Sequence, residues 1–355
     1  MNMYRKIDAL GTIAAAAAIV LSSCSSIDDN LDDCFIELQA DYELHLLTNE
    51  QQELARTLGD RPGIAYALQS HLSTVFTDQG RDLDLAFYTT ADQQRQRRQT
   101  ETMGNAPTKR VDISLNIHDY HHLAVANAQG NGAITYDNNG AYRQARLALT
   151  PQSPNASEAI ASQKTGIFTG RRSFIDMQYG TYPYRMPLYI ANSVAALVLD
   201  PRTADFTDVK VYTTGFATSF SIADSTYHYD NSPLVRAESV AMPDTTRWIA
   251  YCGVSLPSRE AAANSHTTDT RLVNLTDAPF SYDDSGEDLW QYECYVTRTD
   301  GTTTRTVLTI RHPLRAGQLK VIIGWIDAEG RVQTEEMEVG VSVDLNWNSG
   351  IEWEY

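Results

Sequence analysis

Two periodicities divide this chain. Up to about residue 183, strand-like alternation is interrupted by helical spacing; from Tyr184 on, helical spacing nearly disappears and strand signals dominate. Residues 34–47 alternate in part. Tyr42, Leu44 and Leu46 share a parity with Glu43 and His45 between them, but Phe35 and Leu38 do not share one. That predicts a strand with a bulge. Residues 49–59 are mostly polar and admit a short helix. Asp60-Arg61-Pro62 reads as a helix start, with Asp60 as N-cap and Pro62 in the first turn. Ile64, Leu68, Leu72, Val75 and Phe76 then form one apolar stripe that suits packing on a sheet. Residues 82–88 alternate again, with Leu83, Leu85 and Phe87 on one face, and predict a strand. Residues 91–108 are poor in apolar side chains and carry Arg95, Arg97 and Arg98. They read as a solvated, mobile loop, with cleavage by an Arg-specific protease as the sharper alternative.

Further on, residues 110–117 and 122–128 predict two strands joined near Asp119-Tyr120. Residues 129–139 are Gly- and Asn-rich and predict turns; residues 151–165 predict loop with a helical piece. Residues 166–178 predict a turn and a strand, and 179–183 a connector. Residues 186–199 are apolar enough for a central strand pair or one long strand. Shorter strand candidates follow at 209–216, 218–222, 234–240, 248–254 and 271–275. Residues 289–297 and 303–311 flank Asp300-Gly301 as a hairpin, and 318–326 and 332–343 flank Asp327-Ala328-Glu329-Gly330 as another. Turn signals every 8–12 residues in a strand-rich chain are the pattern of a β-sandwich.

The N-terminus changes the setting. Arg5 and Lys6 precede an apolar run, residues 9–20, too short to span a bilayer stably; Leu21-Ser22-Ser23-Cys24 follows. This resembles a bacterial lipobox, which implies cleavage before Cys24 and lipid on that residue. Residues 1–23 are then a signal peptide. The acidic stretch up to Asp33 is too poor in apolar groups to pack, so residues 24–33 read as a tether. Its position resembles the surface-export signal of Bacteroidetes lipoproteins. Loss of Arg5, Lys6 and Asp8 takes the net charge from −17 to −18, which disfavours nucleic acid and anionic headgroups as partners. The remaining 330 or so residues suit two domains, 34–183 and 184–355. Cys34, Cys252 and Cys294 remain besides Cys24. Export permits a disulfide, the odd number leaves one thiol over, and Cys252 with Cys294 is the expected pair.

Candidate chemistry is sparse. There is no glycine-rich phosphate loop and no GxSxG elbow. His118-Asp119-Tyr120-His121-His122 holds metal-ligand types, but on an extended chain His121 and His122 point to opposite faces, so a surface turn is preferred. Asp283-Asp284 and Glu287-Asp288 lack EF-hand spacing and read as an acidic loop. The 19 tyrosines could offer sugar platforms, yet in strands they more often pack; only 5 tryptophans accompany them. No metal, no cofactor and no enzymatic activity are expected.

In order along the chain stand the lipobox, Asp32-Asp33-Cys34, the strand, the helix ending at Phe76-Thr77-Asp78 and the strand at 82–88. Tyr120 to Asn127 is similar to a "Y-x-x-x-x-W-x-N" strand, with Val125 where an aromatic is usual. Gly166-Ile167-Phe168-Thr169-Gly170 is similar to an "lfxG" element, residues 188–199 to the first strand of a second domain, and 341–350 to a closing strand ending "W-N-x-G". This series resembles the FimB-type fimbrial anchor family of Bacteroidetes, relatives of the fimbrillins. The resemblance implies a mainly β fold of two tandem transthyretin-like β-sandwich domains, the first with one or two helices. It implies a non-enzymatic, lipidated basal subunit that anchors a fimbria in the outer membrane and limits its length. The implied partner is a fimbrillin-type stalk subunit, held by β-strand addition. The alternative is a surface glycan-binding lipoprotein of a nutrient-uptake system.

Overall fold

The computed structural model describes residues 35–129, 133–149, 159–229, 234–259, 289–336 and 339–344. Strand β1 (Phe35–His45) buries Ile36, Leu38, Ala40, Tyr42 and Leu44 on one face. Its register against both neighbours is unbroken, so the expected bulge is absent; Phe35 simply points outward. Helix α1 (Glu50–Leu58) follows and buries Glu50 and Glu53 with Leu54 and Leu58. Helix α2 (Pro62–Leu72) carries the predicted stripe. Its N-cap is Arg61 rather than Asp60, and Val75 and Phe76 stay buried just beyond its end.

Strand β2 (Gly80–Thr89) is buried on both sides: Leu83, Leu85 and Phe87 enter one core, Ala86 and Tyr88 another. The expected arginine loop is instead strand β3 (Arg95–Ala106), paired antiparallel with β2. Next come β4 (Thr108–Asn116), β5 (Tyr120–Ala126), β6 (Ile134–Asp137), β7 (Arg146–Leu149), β8 (Ile160–Ala161) and β9 (Phe168–Phe174). Strand β10 (Gly180–Ile190) absorbs all but Tyr179 of the residues expected to be a connector, because it pairs in parallel with β1 from Ile36 to His45. A domain boundary at 183/184 therefore falls inside a strand, and the chain leaves this sheet at Ala191-Asn192.

The first sheet has the order β3-β2-β5-β9-β10-β1-β4. Its two outermost strands are joined through Pro107 alone, so the sheet curls until its edges approach each other. Leu44 N donates to Pro107 O at 2.8 Å, and Arg97 Nη1 to Ser114 O at 2.6 Å across the seam.

The second half begins with β11 (Ser193–Asp200), which separates from β10 into a different sheet, so residues 186–199 form two successive strands that do not pair with each other rather than a strand pair or one long strand. It continues with β12 (Phe206–Thr214), β13 (Ser219–Ser221), β14 (Thr226–His228), β15 (Val235–Arg236), β16 (Glu238–Ser239), β17 (Ile249–Ser255), β18 (Trp290–Arg298), β19 (Thr303–Ile310), β20 (Leu319–Ile326), β21 (Val332–Gln333) and β22 (Val339–Asp344). The β18–β19 hairpin forms as predicted. The last segment splits: β21 pairs with β20, but β22 crosses to β19.

Two sheets, β16-β17-β11-β20-β21 and β22-β19-β18-β12-β15-β8, stack to bury Leu197, Leu199 and Ile322 against Tyr292, Cys294 and Leu308. The other face of the five-stranded sheet, with Val194, Cys252 and Val321, packs on the helices and the inside of the first sheet. Cys252 and Cys294 thus lie on different sheets in different cores. Both are free, buried thiols, so the expected disulfide is not formed. A small sheet, β14-β13-β7-β6, draws strands from both halves and covers the outer face of β2 and β5. The fold is mainly β with two α-helices among the described residues.

One lock joins the halves. Strand β20 pairs with β11 on one flank, while β21 reaches only its last two residues on the other. Side chains partner Leu319, Val321 N and Ile323 beyond that reach. Asn49 Nδ2 donates to Leu319 O at 3.1 Å and its Oδ1 accepts from Leu319 N at 2.7 Å. Glu53 Oε1 accepts from Val321 N at 2.9 Å, Glu336 Oε1 from Ile323 N at 3.2 Å, and Thr334 Oγ1 donates to Ile323 O at 2.8 Å. Just before β20, Gly317 has φ +77°, and a Cβ there would meet Leu47 O at 2.0 Å, so this close approach requires glycine. Asn49→Ala leaves both polar groups of Leu319 buried and unpaired. It is expected to lower the unfolding free energy by roughly 1–3 kcal/mol in urea titration; no measurable loss would show that the amide does not hold this edge.

Candidate docking edges and buried polar clusters

The structure separates the residues that sequence alone had grouped as possible sites. Cys24, Cys34, Asp283-Asp284 and Glu287-Asp288 lie outside the described residues. Among the described residues, no three His, Cys, Asp or Glu side chains converge as a metal site. His121 and His122 face opposite sides of β5, as an extended backbone requires. His121 stacks on Tyr142 with ring centroids 4.3 Å apart, and its Nδ1 lies 2.8 Å from Ser173 Oγ. His122 is fully buried inside the curled sheet, stacked on Phe87 at 4.0 Å.

The tautomer of His122 follows from its partners. Nδ1 lies 3.0 Å from Ala86 O, and a carbonyl only accepts, so Nδ1 carries the proton. Nε2 then accepts from Tyr42 Oη at 2.8 Å, and Tyr42 in turn accepts from Tyr184 Oη at 2.9 Å. Burial pushes the His122 pKa down to about 3 and raises those of Tyr42 and Tyr184. The cluster is therefore neutral and holds the core together; it is not a ligand set.

The arginine stretch is strand because a buried carboxylate holds it. Asp84 Oδ2 accepts from Arg98 Nε at 2.9 Å and Nη2 at 2.6 Å, while its Oδ1 accepts from Asn138 Nδ2 at 3.1 Å. Arg95 Nη1 donates to Asn138 O at 2.7 Å and Oδ1 at 2.8 Å, and Tyr88 Oη also donates to Asn138 O. The bond to Asp84 holds the Arg98 guanidinium above its usual pKa. The available signal was Asp84 itself, a carboxylate in the middle of an apolar run.

What the sheets offer a partner is decided by their edges. A free edge presents unpaired backbone groups and templates another strand. The β20 edge is closed by the lock described above. The seam between β3 and β4 is spanned by the Arg97–Ser114 bond and by Lys109 Nζ 3.8 Å from Glu101 Oε2. The flank of β12 is different. Beside it, β15 pairs only with Tyr212 and Thr213; the chain then leaves the sheet at Ala237 and joins the opposite one as β16. The crossing opens a groove of about 610 Å³ along residues 208–211, walled by Asp208, Lys210, Arg236, Glu238 and Tyr251. Val211 O accepts from Ala237 N at 2.9 Å and Val209 O from Tyr251 Oη at 3.2 Å, which shows the direction of this flank. A strand residue's N–H points with its C=O, so the Val209 N–H faces the groove as well. Strand β22, paired only with β19 among the described residues, is a second edge.

One other cleft is aromatic. About 440 Å³ in volume, it holds Trp248 and Trp325 with Asp200, Glu335 and Glu336. Each indole already carries a guanidinium over one face, Arg61 at 5.0 Å from Trp248 and Arg202 at 4.0 Å from Trp325.

These features define a mainly β, multi-sheet β-sandwich protein. Among solved structures, a candidate adhesin from Bacteroides ovatus shares this fold with TM-score 0.50 and 10% identity, over 85% of this chain and 96% of that one. The fimbrial anchor protein Mfa2 from Porphyromonas gingivalis aligns with TM-score 0.44 and 8% identity over 87% of this chain and 99% of that one. The tip fimbrial protein Mfa3 from the same organism aligns with TM-score 0.36 and 10% identity over 88% and 100%. The sequence matches no protein-family model and no curated protein.

Two outcomes are expected. An unfolded imidazole takes up a proton near pH 6.5, whereas buried His122 does not until about pH 3. Stability therefore falls as pH drops through that window, by up to roughly 4–5 kcal/mol. The difference between wild-type and His122→Phe unfolding curves from pH 7 to 4 should show this decline; parallel curves would refute it. Asp84→Ala should cost about 2 kcal/mol, discounted for the partly solvated Arg98, and should expose residues 95–98 to trypsin under conditions where the parent resists.

Proposed function

We propose that this chain is a non-enzymatic, lipid-anchored basal subunit of a fimbria. Lipid on Cys24 holds it to the outer membrane, and a fimbrillin-type stalk subunit adds a strand to it. The open flank of β12 supports this reading best: a strand laid there would pair with Val209, fill the space between the two sheets and leave the core intact. Main-chain pairing would supply affinity and the alternate side chains specificity. A subunit with a lipid at one end and one accepting groove starts a polymer and bounds it, which would limit length. The lipobox and acidic tether support surface placement, and the fold shared with a candidate adhesin agrees with it.

A tagged chain captured from outer membranes, followed by mass spectrometry, tests the proposal. A fimbrillin-like subunit in stoichiometric amount is the expected result. Val209→Pro, which removes the N–H on the open flank, should abolish that capture while leaving the melting curve cooperative. The Trp248–Trp325 cleft favours the second reading, glycan binding in nutrient uptake. Capture of an outer-membrane transporter with glycan-handling lipoproteins, and saturable polysaccharide binding lost in Trp325→Ala, would replace the first reading by the second.

A further inference from the structure

The curled first sheet has two poles. One is covered by α1, α2 and the five-stranded sheet of the second half. At the other, strand ends and turns come together: Phe35 lies opposite Asn116, Ile36 opposite Gly180, and Tyr120 opposite both Phe174 and Thr89. Three turns close this pole, at residues 90–94, 117–119 and 175–179. Phe35, Ile175 and Tyr179 are 46%, 55% and 69% exposed there. They are three of the six large apolar side chains left exposed among the described residues; Leu47, Tyr66 and Val341 lie elsewhere. One such side chain on a surface is ordinary, but three at one pole are a patch.

The turn that presents two of them is braced. Met177 N donates to Asp119 Oδ1 at 3.3 Å, and Tyr182 Oη donates to Gln178 O at 2.8 Å while accepting from Gln178 N at 3.2 Å. The same pole is where the chain enters from Cys24. Ten residues, 25–34, separate Cys24 from Phe35, and a chain of that length spans at most about 35 Å.

We propose that this pole seats on the bilayer, with Phe35, Ile175 and Tyr179 entering the lipid–water interface of the membrane that holds the Cys24 lipid. The inference rests on the lipid-anchor reading above. Tyrosine suits such an interface because its ring is apolar and its hydroxyl stays wet. Asp92, Asp119 and Asp176 stand in the three turns of this pole, and four more aspartates lie in the spacer. That charge selects a zwitterionic surface over an anionic one. The lipid chains supply residence, and the patch supplies orientation: with this pole down, the pole covered by the helices and the five-stranded sheet is turned away from the membrane.

The test uses the full lipidated chain in vesicles of phosphatidylethanolamine and phosphatidylcholine, in a Cys34→Ser background. An environment-sensitive fluorophore is placed at Ile175→Cys or, for comparison, at Thr299→Cys in the β18–β19 turn; buried Cys252 and Cys294 escape labelling. The expected result is blue-shifted emission quenched by brominated lipid at position 175 and neither effect at 299. Equal, solvent-like emission at both positions in a chain that floats with the vesicles overturns the docking and leaves the anchor standing. A chain that does not float overturns the anchor reading, and the docking with it.

Discussion

The edge of β20 is the constraint on which the rest of the molecule depends. A central strand that pairs along most of its length on one side only must either find another strand or have its backbone groups satisfied in some other way. Here α1, from the first half, supplies Asn49 and Glu53, and the segment after β21 supplies Thr334 and Glu336. Asn49 imitates a strand residue, since its amide both donates to and accepts from Leu319. The helix is thereby bound to the second sandwich as well as to the first sheet. Its buried carboxylate, Glu53, also accepts from Arg56 Nε at 2.9 Å, so the charge inside the interface is paired. The two halves share one continuous apolar core through this contact.

Closing some edges gives meaning to the flank of β12. Side chains cap β20, and β3 and β4 meet across a bridged seam. Against that background, the flank of β12 stands out because the chain itself vacates it, crossing from β15 to β16 within a residue. The groove costs little stability, since Val209 and Val211 remain buried and their carbonyls have partners. It keeps one N–H direction available to a partner. Among the described residues no three His, Cys, Asp or Glu side chains converge beside it as a metal site.

Much of the fold was legible from local pattern. The stripe of α2, the alternation of β2, and the β18–β19 hairpin around Asp300-Gly301 each follow from periodicity and turn chemistry within a few residues. The arginine stretch was not. Residues 95–102 look like a loop because none of them is apolar, yet they form part of an edge strand because Asp84 and Asn138 hold the arginines. Residues 180–183 carry connector composition and become strand because β1 offers them a parallel partner. The Cys252–Cys294 pairing counted thiols without knowing which face of which sheet each would occupy.

By itself, the sequence determined which segments are amphipathic, where turns fall, and that the body is sheet-rich. These are properties of residues close together in the chain. Only the tertiary structure decided which strand lies beside which and which face is covered twice. It alone showed that His122 is a neutral core group rather than a ligand, and that β12 is left with an open flank. Those outcomes depend on contacts between residues such as Asn49 and Leu319, hundreds of positions apart. No local periodicity encodes them, because long-range pairing is chosen by the summed burial and backbone satisfaction of the whole fold.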